Sequence, residues 1–288
     1  MDLPLVVGVD GSESSLRAAD WAADEAARRA VPLRVVYASL WARYEGAALA
    51  RELGKPDDQV EAEEVVAAAA RRARARHPDL PISRAALPEA PEYALVREGK
   101  NASALVVGAR GRNAVVDLLL GSVSLFVAAH ADCPVIVVRG SHDNQARTPV
   151  HGRIVLGVGD SSAAAVRFAA EEALRRGAEL EAVRAWRCPA HETLDHPLIG
   201  GEPQRVYEEQ AADALEAALR DLPPEVKVRR RTVEGPARRV LLAAAPGADL
   251  LVVGVRRRAG RFGLQLGRVA HTALHHSACP VAVVPERA

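Results

Sequence analysis

The run Leu105–Val138, LVVGARGRNAVVDLLLGSVSLFVAAHADCPVIVV, decides how the rest of the chain is read. An apolar stretch ends in Gly108, and a loop rich in glycine and arginine follows: Ala109, Arg110, Gly111, Arg112, Asn113, Ala114. A further glycine, Gly121, is followed by Ser122, Val123 and Ser124. Apolar residues at helical spacing then lead to Pro134, which opens another apolar run. The pattern is strand, loop, helix, strand. Gly108, Gly111 and Gly121 let backbone N–H groups come close to a ligand. The Ser122 hydroxyl falls where a helix begins and unpaired N–H groups point outward, an arrangement that suits a phosphate chain.

Upstream, Leu3–Val9 is the nearly continuous apolar run of a strand covered on both faces. Asp10, Gly11 and Ser12 end it, and Ser12 or Ser14 can cap the next helix, where Leu16, Ala19, Ala23, Ala26, Ala27 and Ala30 recur at helical spacing. Leu33–Ala38 reads as a second strand, and residues 39–56 as irregular. A helix over 57–76 starts with acids and ends with arginines, an order that opposes the helix dipole at both ends. Its charges read as a solvated face. A strand over Ile82–Leu87 and a short helix over 90–99 lead into the central run.

Downstream, GSHDNQARTPV reads as a linker, and then the pattern restarts. One offset of 146 separates Gly108 from Gly254, Gly121 from Gly267 and Cys133 from Cys279. Aligned at that offset without gaps, Leu105–Val138 and Leu251–Val284 agree at 16 of 34 positions, which marks an internal duplication. The expected organisation is one domain over 1–140, a linker over 141–151 and a second domain over 152–288. Each copy alternates five strands with four helices, which means a parallel sheet covered on both faces.

Composition narrows the function. Hydrophobic residues make up 49% of the 288, enough for a real core, while aromatic residues make up 3% and leave few platforms for stacking single-stranded nucleic acid. A formal net charge of +1 gives no basic footprint for nucleic acid. No apolar run approaches a membrane span, and the N-terminal MDLPLVVGVDGS carries no leader pattern, so no nucleic acid and no membrane are expected as partners and the location is expected to be cytoplasmic. Cys133, Cys188 and Cys279 are odd in number, and Cys133 and Cys279 repeat by duplication as core thiols.

The spacing Gly108-x2-Gly111-x9-Gly121-Ser122 resembles the nucleotide-binding signature of the universal stress protein family. GVDGS closing the first strand and CPVIVV as the last strand stand where the family puts them. The resemblance covers nearly the whole chain as two tandem domains. It implies an α/β fold of two Rossmann-like domains, similar to adenine nucleotide alpha-hydrolases, each a five-stranded parallel sheet in order 3-2-1-4-5 with helices on both faces. The resemblance also implies an ATP site at the carboxyl ends of strands one and four, and ligands in open α/β sheets bind at that place, where strand order reverses. By the resemblance, Asp10, after Gly8 and Val9, contacts the nucleoside end, and backbone at Ala38 meets adenine. Gly108 to Ala114 and Gly121 to Ser124 wrap the phosphates, with Mg2+ accompanying them. Arg110 and Arg112 are placed to pair with phosphate oxygens.

The second copy departs from this pattern. Arg257 replaces the second glycine and Arg268 the serine, while Gly254 and Gly267 remain. With Gly157 aligned to Gly8, Gly159 stands at the place of Asp10 and Asp160 follows. Arg256, Arg257, Arg258, Arg261 and Arg268 form a basic cluster that is either a solvated loop or a differently placed anion site. The expectation is that copy two binds ATP weakly or not at all. His271, His275 and His276, and the group Cys188, His191 and His196, match no known metal spacing. No catalytic constellation stands out, so a nucleotide-dependent regulatory module in the stress response leads. A weak ATPase or nucleotide hydrolase and a scaffold without nucleotide are the alternatives. A homodimer and an unknown protein partner are expected.

Overall fold

The computed structural model describes residues 3–40, 58–109, 120–139, 151–188, 202–256 and 266–286. The chain divides into two compact units, Met1–Thr148 and Pro149–Ala288. Unit 1 runs β1 (Leu5–Gly8), α1 (Glu13–Arg29), β2 (Leu33–Ala38), α2 (Asp58–Arg76), β3 (Ile82–Leu87), α3 (Pro91–Gly99), β4 (Ala104–Gly108), α4 (Ser122–His130) and β5 (Val135–Val138). Every strand pair is parallel, and the order within the unit is β3-β2-β1-β4-β5. The order therefore reverses between β1 and β4, as the resemblance implies.

Unit 2 runs β6 (Arg153–Gly157), α5 (Ala163–Arg176), β7 (Glu179–Trp186), α6 (Glu202–Leu219), β8 (Val228–Glu234), α7 (Ala237–Ala244), β9 (Leu250–Arg256), α8 (Arg268–His276) and β10 (Val281–Glu286). Its order is β8-β7-β6-β9-β10, again all parallel. The same reversal falls between β6 and β9.

The central strands are apolar end to end because helices cover both faces of each sheet. Leu5, Val7, Leu105 and Val106 in unit 1, and Ile154, Leu156, Leu251 and Val252 in unit 2, are fully buried. Helix α1 presents Ala18, Ala19, Ala22, Ala23 and Ala26 inward, all fully buried, so its axis can lie close to the sheet. The two glycines that end β1 and β6 serve the same packing. A Cβ on Gly8 would lie 2.9 Å from Leu95 Cδ1, and one on Gly157 would lie 2.7 Å from Leu241 Cδ1.

One sequence expectation is corrected here. The charges of α2 are not simply a solvated face. Arg72 donates through Nε and Nη2 to both oxygens of Asp20 at 2.7 and 2.6 Å, and Arg76 does the same to Asp24 at 3.0 and 2.6 Å. These two bidentate pairs hold α2 to α1 with a fixed register. In unit 2 a different buried charge is paired. Burial would push the Glu181 carboxyl up, but hydrogen bonds from Arg231 and Arg153 outweigh it and hold it below the usual carboxylate range.

The first helices of the two units also end alike. Each places its C-cap in the left-handed region, Ala30 at φ 53° and Gly177 at φ 61°, with the cap N–H returning to the last turn. Glycine adopts that conformation without steric cost and alanine does not. Ala30→Gly is expected to stabilise unit 1 by about 0.5–1 kcal/mol, and Gly177→Ala to destabilise unit 2 by about 1 kcal/mol. Urea unfolding midpoints of the two variants against the parent check both signs.

Candidate functional site

The carboxyl ends of β1 and β4 form the crevice of unit 1. Beyond Gly8, Val9 is buried and its N–H donates to the Val36 carbonyl at 2.9 Å, extending the ladder. Asp10 then turns the chain. Its Oδ1 accepts from the Ser12 N–H at 2.9 Å and from the Ser12 hydroxyl at 2.6 Å. Gly11 sits at φ 81°, which a side chain would resist. Ser12 is the N-cap of α1, its hydroxyl oxygen accepting from the Ser15 N–H at 3.2 Å. Ala38 is half-buried at the end of β2, beside Leu87 of β3.

Two of the expected phosphate residues are placed otherwise than the sequence implied. A Cβ on Gly108 would lie 2.7 Å from Ser14 Oγ and 2.8 Å from the Ser14 carbonyl oxygen. The missing side chain at Gly108 is therefore explained by the passage of α1 across β4. Ser124 is buried, and its hydroxyl donates to the Gly108 carbonyl at 2.7 Å, so it ties α4 to the strand and faces inward.

What remains at the surface is the start of α4. Ala109 donates to the Val138 carbonyl at 2.9 Å, and its own carbonyl accepts from the Gly121 N–H at 2.8 Å. That bond closes the mouth of the loop between them. Gly121 is the N-cap of α4 and no side chain caps it. Ser122 is the first helical residue and is exposed, with Val123 half-buried behind it. Among the described residues the first N–H groups of α4 thus have no side-chain acceptor, and they carry the positive end of the helix dipole. Arg110, Gly111, Arg112, Asn113 and Ala114 lie outside the described residues.

The corresponding edge of unit 2 is built differently. Gly159 has open space around it, and Asp160 is exposed and pairs with Arg184 Nη2 at 2.8 Å instead of anchoring a turn. Arg256, at the end of β9, hydrogen-bonds through Nη2 to the Ser161 hydroxyl. Gly267 is the uncapped N-cap of α8, and Arg268 is the exposed first helical residue. Gly254 faces a carboxylate: a Cβ there would lie 2.8 Å from Glu286 Oε1. Sequence reasoning missed Glu286. Its signal was the ending of CPVAVVPE, where the first copy reads CPVIVVRG. Arg257 and Arg258 lie outside the described residues, as do the linker residues 141–150 and His191 and His196.

The remaining candidates are structural in their surroundings. Cys133 and Cys279 are buried, and burial pushes the Cys279 thiol up to about 11, which keeps it protonated. The rings of His271 and His275 lie 4.4 Å apart on α8, tilted by 32° to each other. In unit 1, Phe126 stacks on His130 at 4.0 Å and meets the edge of Tyr93 at 5.3 Å, closing α3 against α4.

Comparisons with known proteins agree with one another. The model of the universal stress protein family matches residues 3–139 and again 151–285. A universal stress protein of Mycobacterium tuberculosis is 35% identical over 300 residues, covering 97% of this chain and 96% of its own. Among solved structures, a universal stress protein from Archaeoglobus fulgidus superposes with a TM-score of 0.69 at 17% identity, covering 98% of both chains. Another structure of a universal stress protein from Archaeoglobus fulgidus, in complex with dAMP, is 27% identical over 48% of this chain and 98% of its own, with a TM-score of 0.38.

The two repeat-related glycines make a test of the packing account. At Gly108 the obstacle includes Ser14 backbone, which cannot swing aside, whereas at Gly254 it is the end of a glutamate side chain. Gly108→Ala is expected to cost about 1–3 kcal/mol, and Gly254→Ala less. Equal losses in urea midpoint would contradict this account of Gly108.

Proposed function

The chain belongs to the universal stress protein family, and from that premise we propose that unit 1 binds ATP, accompanied by Mg2+, as the ligand-sensing half of a stress-response module. The observation that carries the reading is the uncapped start of α4 at Gly121 and Ser122, at the place where strand order reverses. A helix start that no side chain caps among the described residues, next to an exposed hydroxyl, is complementary to a phosphate chain. Backbone N–H groups of Ser122 and Val123 and the Ser122 hydroxyl would meet the phosphates. Arg110 and Arg112 would add charge-assisted bonds from the loop whose ends Ala109 and Gly121 hold together. Bound Mg2+ would neutralise phosphate charge.

Asp10 is assigned to the nucleoside end. Its turn with Ser12 fixes the carboxylate at the tip of β1, across the reversal from β4. Backbone at Ala38, on the strand next to β1, is assigned to the adenine. Gly108 and Ser124 have a supporting part: they set the position of α4 relative to β4 and α1 without touching the ligand. The same reading takes the protein to be cytoplasmic and homodimeric, with ligand state passed on through ordering of the loop and α4, because a ligand favours whichever conformation it binds better.

Ser122→Glu separates binding from folding. A carboxylate in the first turn of α4 supports the helix dipole, by about 0.3–1 kcal/mol, yet repels a phosphate. The variant is expected to keep or raise its melting temperature and to bind ATP·Mg2+ at least about tenfold more weakly in calorimetric titration, a loss of about 1.4 kcal/mol or more. Unchanged affinity in that variant, or a parent protein that neither carries nor takes up nucleotide, would overturn the reading.

A further inference from the structure

β8 ends the strand order of unit 2, and among the described residues it pairs with β7 alone. The ladder fixes which way its backbone points. The Leu180 N–H donates to the Lys227 carbonyl and the Gly235 N–H to the Trp186 carbonyl, both at 2.8 Å, so Lys227 and Gly235 face β7. Backbone direction alternates along a strand. The N–H and C=O groups of Val228, Arg230, Thr232 and Glu234 therefore point away from β7, as a template for a further strand.

This edge carries three consecutive arginines, Arg229, Arg230 and Arg231, all exposed. Arg231 donates to Glu181 Oε1 at 2.6 Å, and Arg229 lies on the same face of the strand. Among the described residues Arg229 forms no ion pair. Arg230 lies on the other face, its Nε 2.7 Å from Glu216 Oε1 of α6. The edge of unit 1 is different: at the repeat offset of 146, Arg229 and Arg231 match Ser83 and Ala85 of β3.

A cavity of about 670 Å³ adjoins β8. Its apolar lining is Leu219 at the end of α6, Leu222 and Val226 from the turn that follows, and Val228. Leu219 and Val226 are buried. Glu216 and Arg230 line it as well. Val228 and Arg230 thus turn their side chains to the cavity and their backbone groups outward. Residues paired across two strands point to the same face. A strand laid outside β8 would set one of its side chains over this cavity.

We propose that β8 is a docking edge for an extended segment of another protein in which acidic and apolar residues alternate. Its backbone pairs with Val228, Arg230, Thr232 and Glu234, an apolar side chain enters the cavity, and acids on the opposite face meet Arg229 and Arg231. A second copy of β8 is a poor occupant, because it brings three more arginines to the same edge. The proposal does not depend on the nucleotide reading of unit 1.

Fluorescence anisotropy on the full chain tests this with three labelled ten-residue peptides: alternating glutamate and valine, alternating lysine and valine, and five glutamates followed by five valines. The first is expected to bind, and the other two at least about tenfold more weakly. Thr232→Pro removes one outward N–H and no bond to β7, and Arg229→Glu reverses a charge on the edge; each is expected to weaken the first peptide by about tenfold. Ala86→Pro, the matching change on β3, is expected to leave its binding unchanged. No binding of the first peptide by the parent would overturn the proposal, the outcome if the arginines only guard the edge against pairing. Equal binding of the block peptide would overturn it too, as would full binding by Thr232→Pro, since a basic patch that gathers any polyanion needs no backbone pairing. If Thr232→Pro does not fold, unchanged binding by Arg229→Glu overturns it.

Discussion

Every α-helix starts with N–H groups that its own turns cannot satisfy, and in both units two helices start where strand order reverses. Among the described residues two of these starts are capped by a side chain and two are not. Helix α1 takes a local serine, Ser12, held in place by the Asp10 turn. Helix α5 takes a carboxylate from the far strand of its sheet, Glu286. Helices α4 and α8 begin at glycines that supply no side chain at all. The sheet holds all four of these helix starts at its carboxyl edge.

Much of this fold was legible in the sequence, and for a definite reason. Strands buried on both faces read as unbroken apolar runs, and Gly and Pro punctuate them, so Leu33–Ala38 and Ile82–Leu87 stand where the pattern puts them. The duplication was legible because one register persists across loops and helices alike. Long-range partners were not. The charges on α2 look like solvated residues until Asp20 and Asp24, 52 residues earlier, are seen to grip Arg72 and Arg76. The site was legible only in outline. A missing side chain at Gly108 is equally consistent with a ligand and with a crossing helix, and only the distance to Ser14 decides between them. A serine at position 124 carries no mark of which face of α4 it occupies, and the structure turns it inward to the Gly108 carbonyl.

Comparing the units shows which contacts the duplicated architecture keeps. The glycine at the end of the first strand packs under a leucine of the third helix in both, Gly8 under Leu95 and Gly157 under Leu241. A fully buried glutamate on the first helix holds two arginines of the last turn in both: Glu25 with Arg28 and Arg29, Glu172 with Arg175 and Arg176. These contacts lie along the body of the sheet and helices. The differences gather at the carboxyl edge, where Asp10 faces a turn but Asp160 faces Arg184, and where Ser122 is matched by Arg268.

That separation explains how one copy can change its chemistry without losing its fold. The stability of each unit comes from apolar strands and alanine-lined helices, which do not depend on the acceptor at a helix start. The first helix of each unit is capped from within, α1 by Ser12 and α5 by Glu286. Among the described residues no side chain caps the first donors of α4 in unit 1. An anion that displaces water from them binds only the native state, and by mass action its binding adds to stability in proportion to the logarithm of its concentration above the dissociation constant. The two copies thus share the body that stabilises them and differ in what stands at the carboxyl edge: Ser12 at the start of α1 against Glu286 at the start of α5, and Ser122 in α4 against Arg268 in α8.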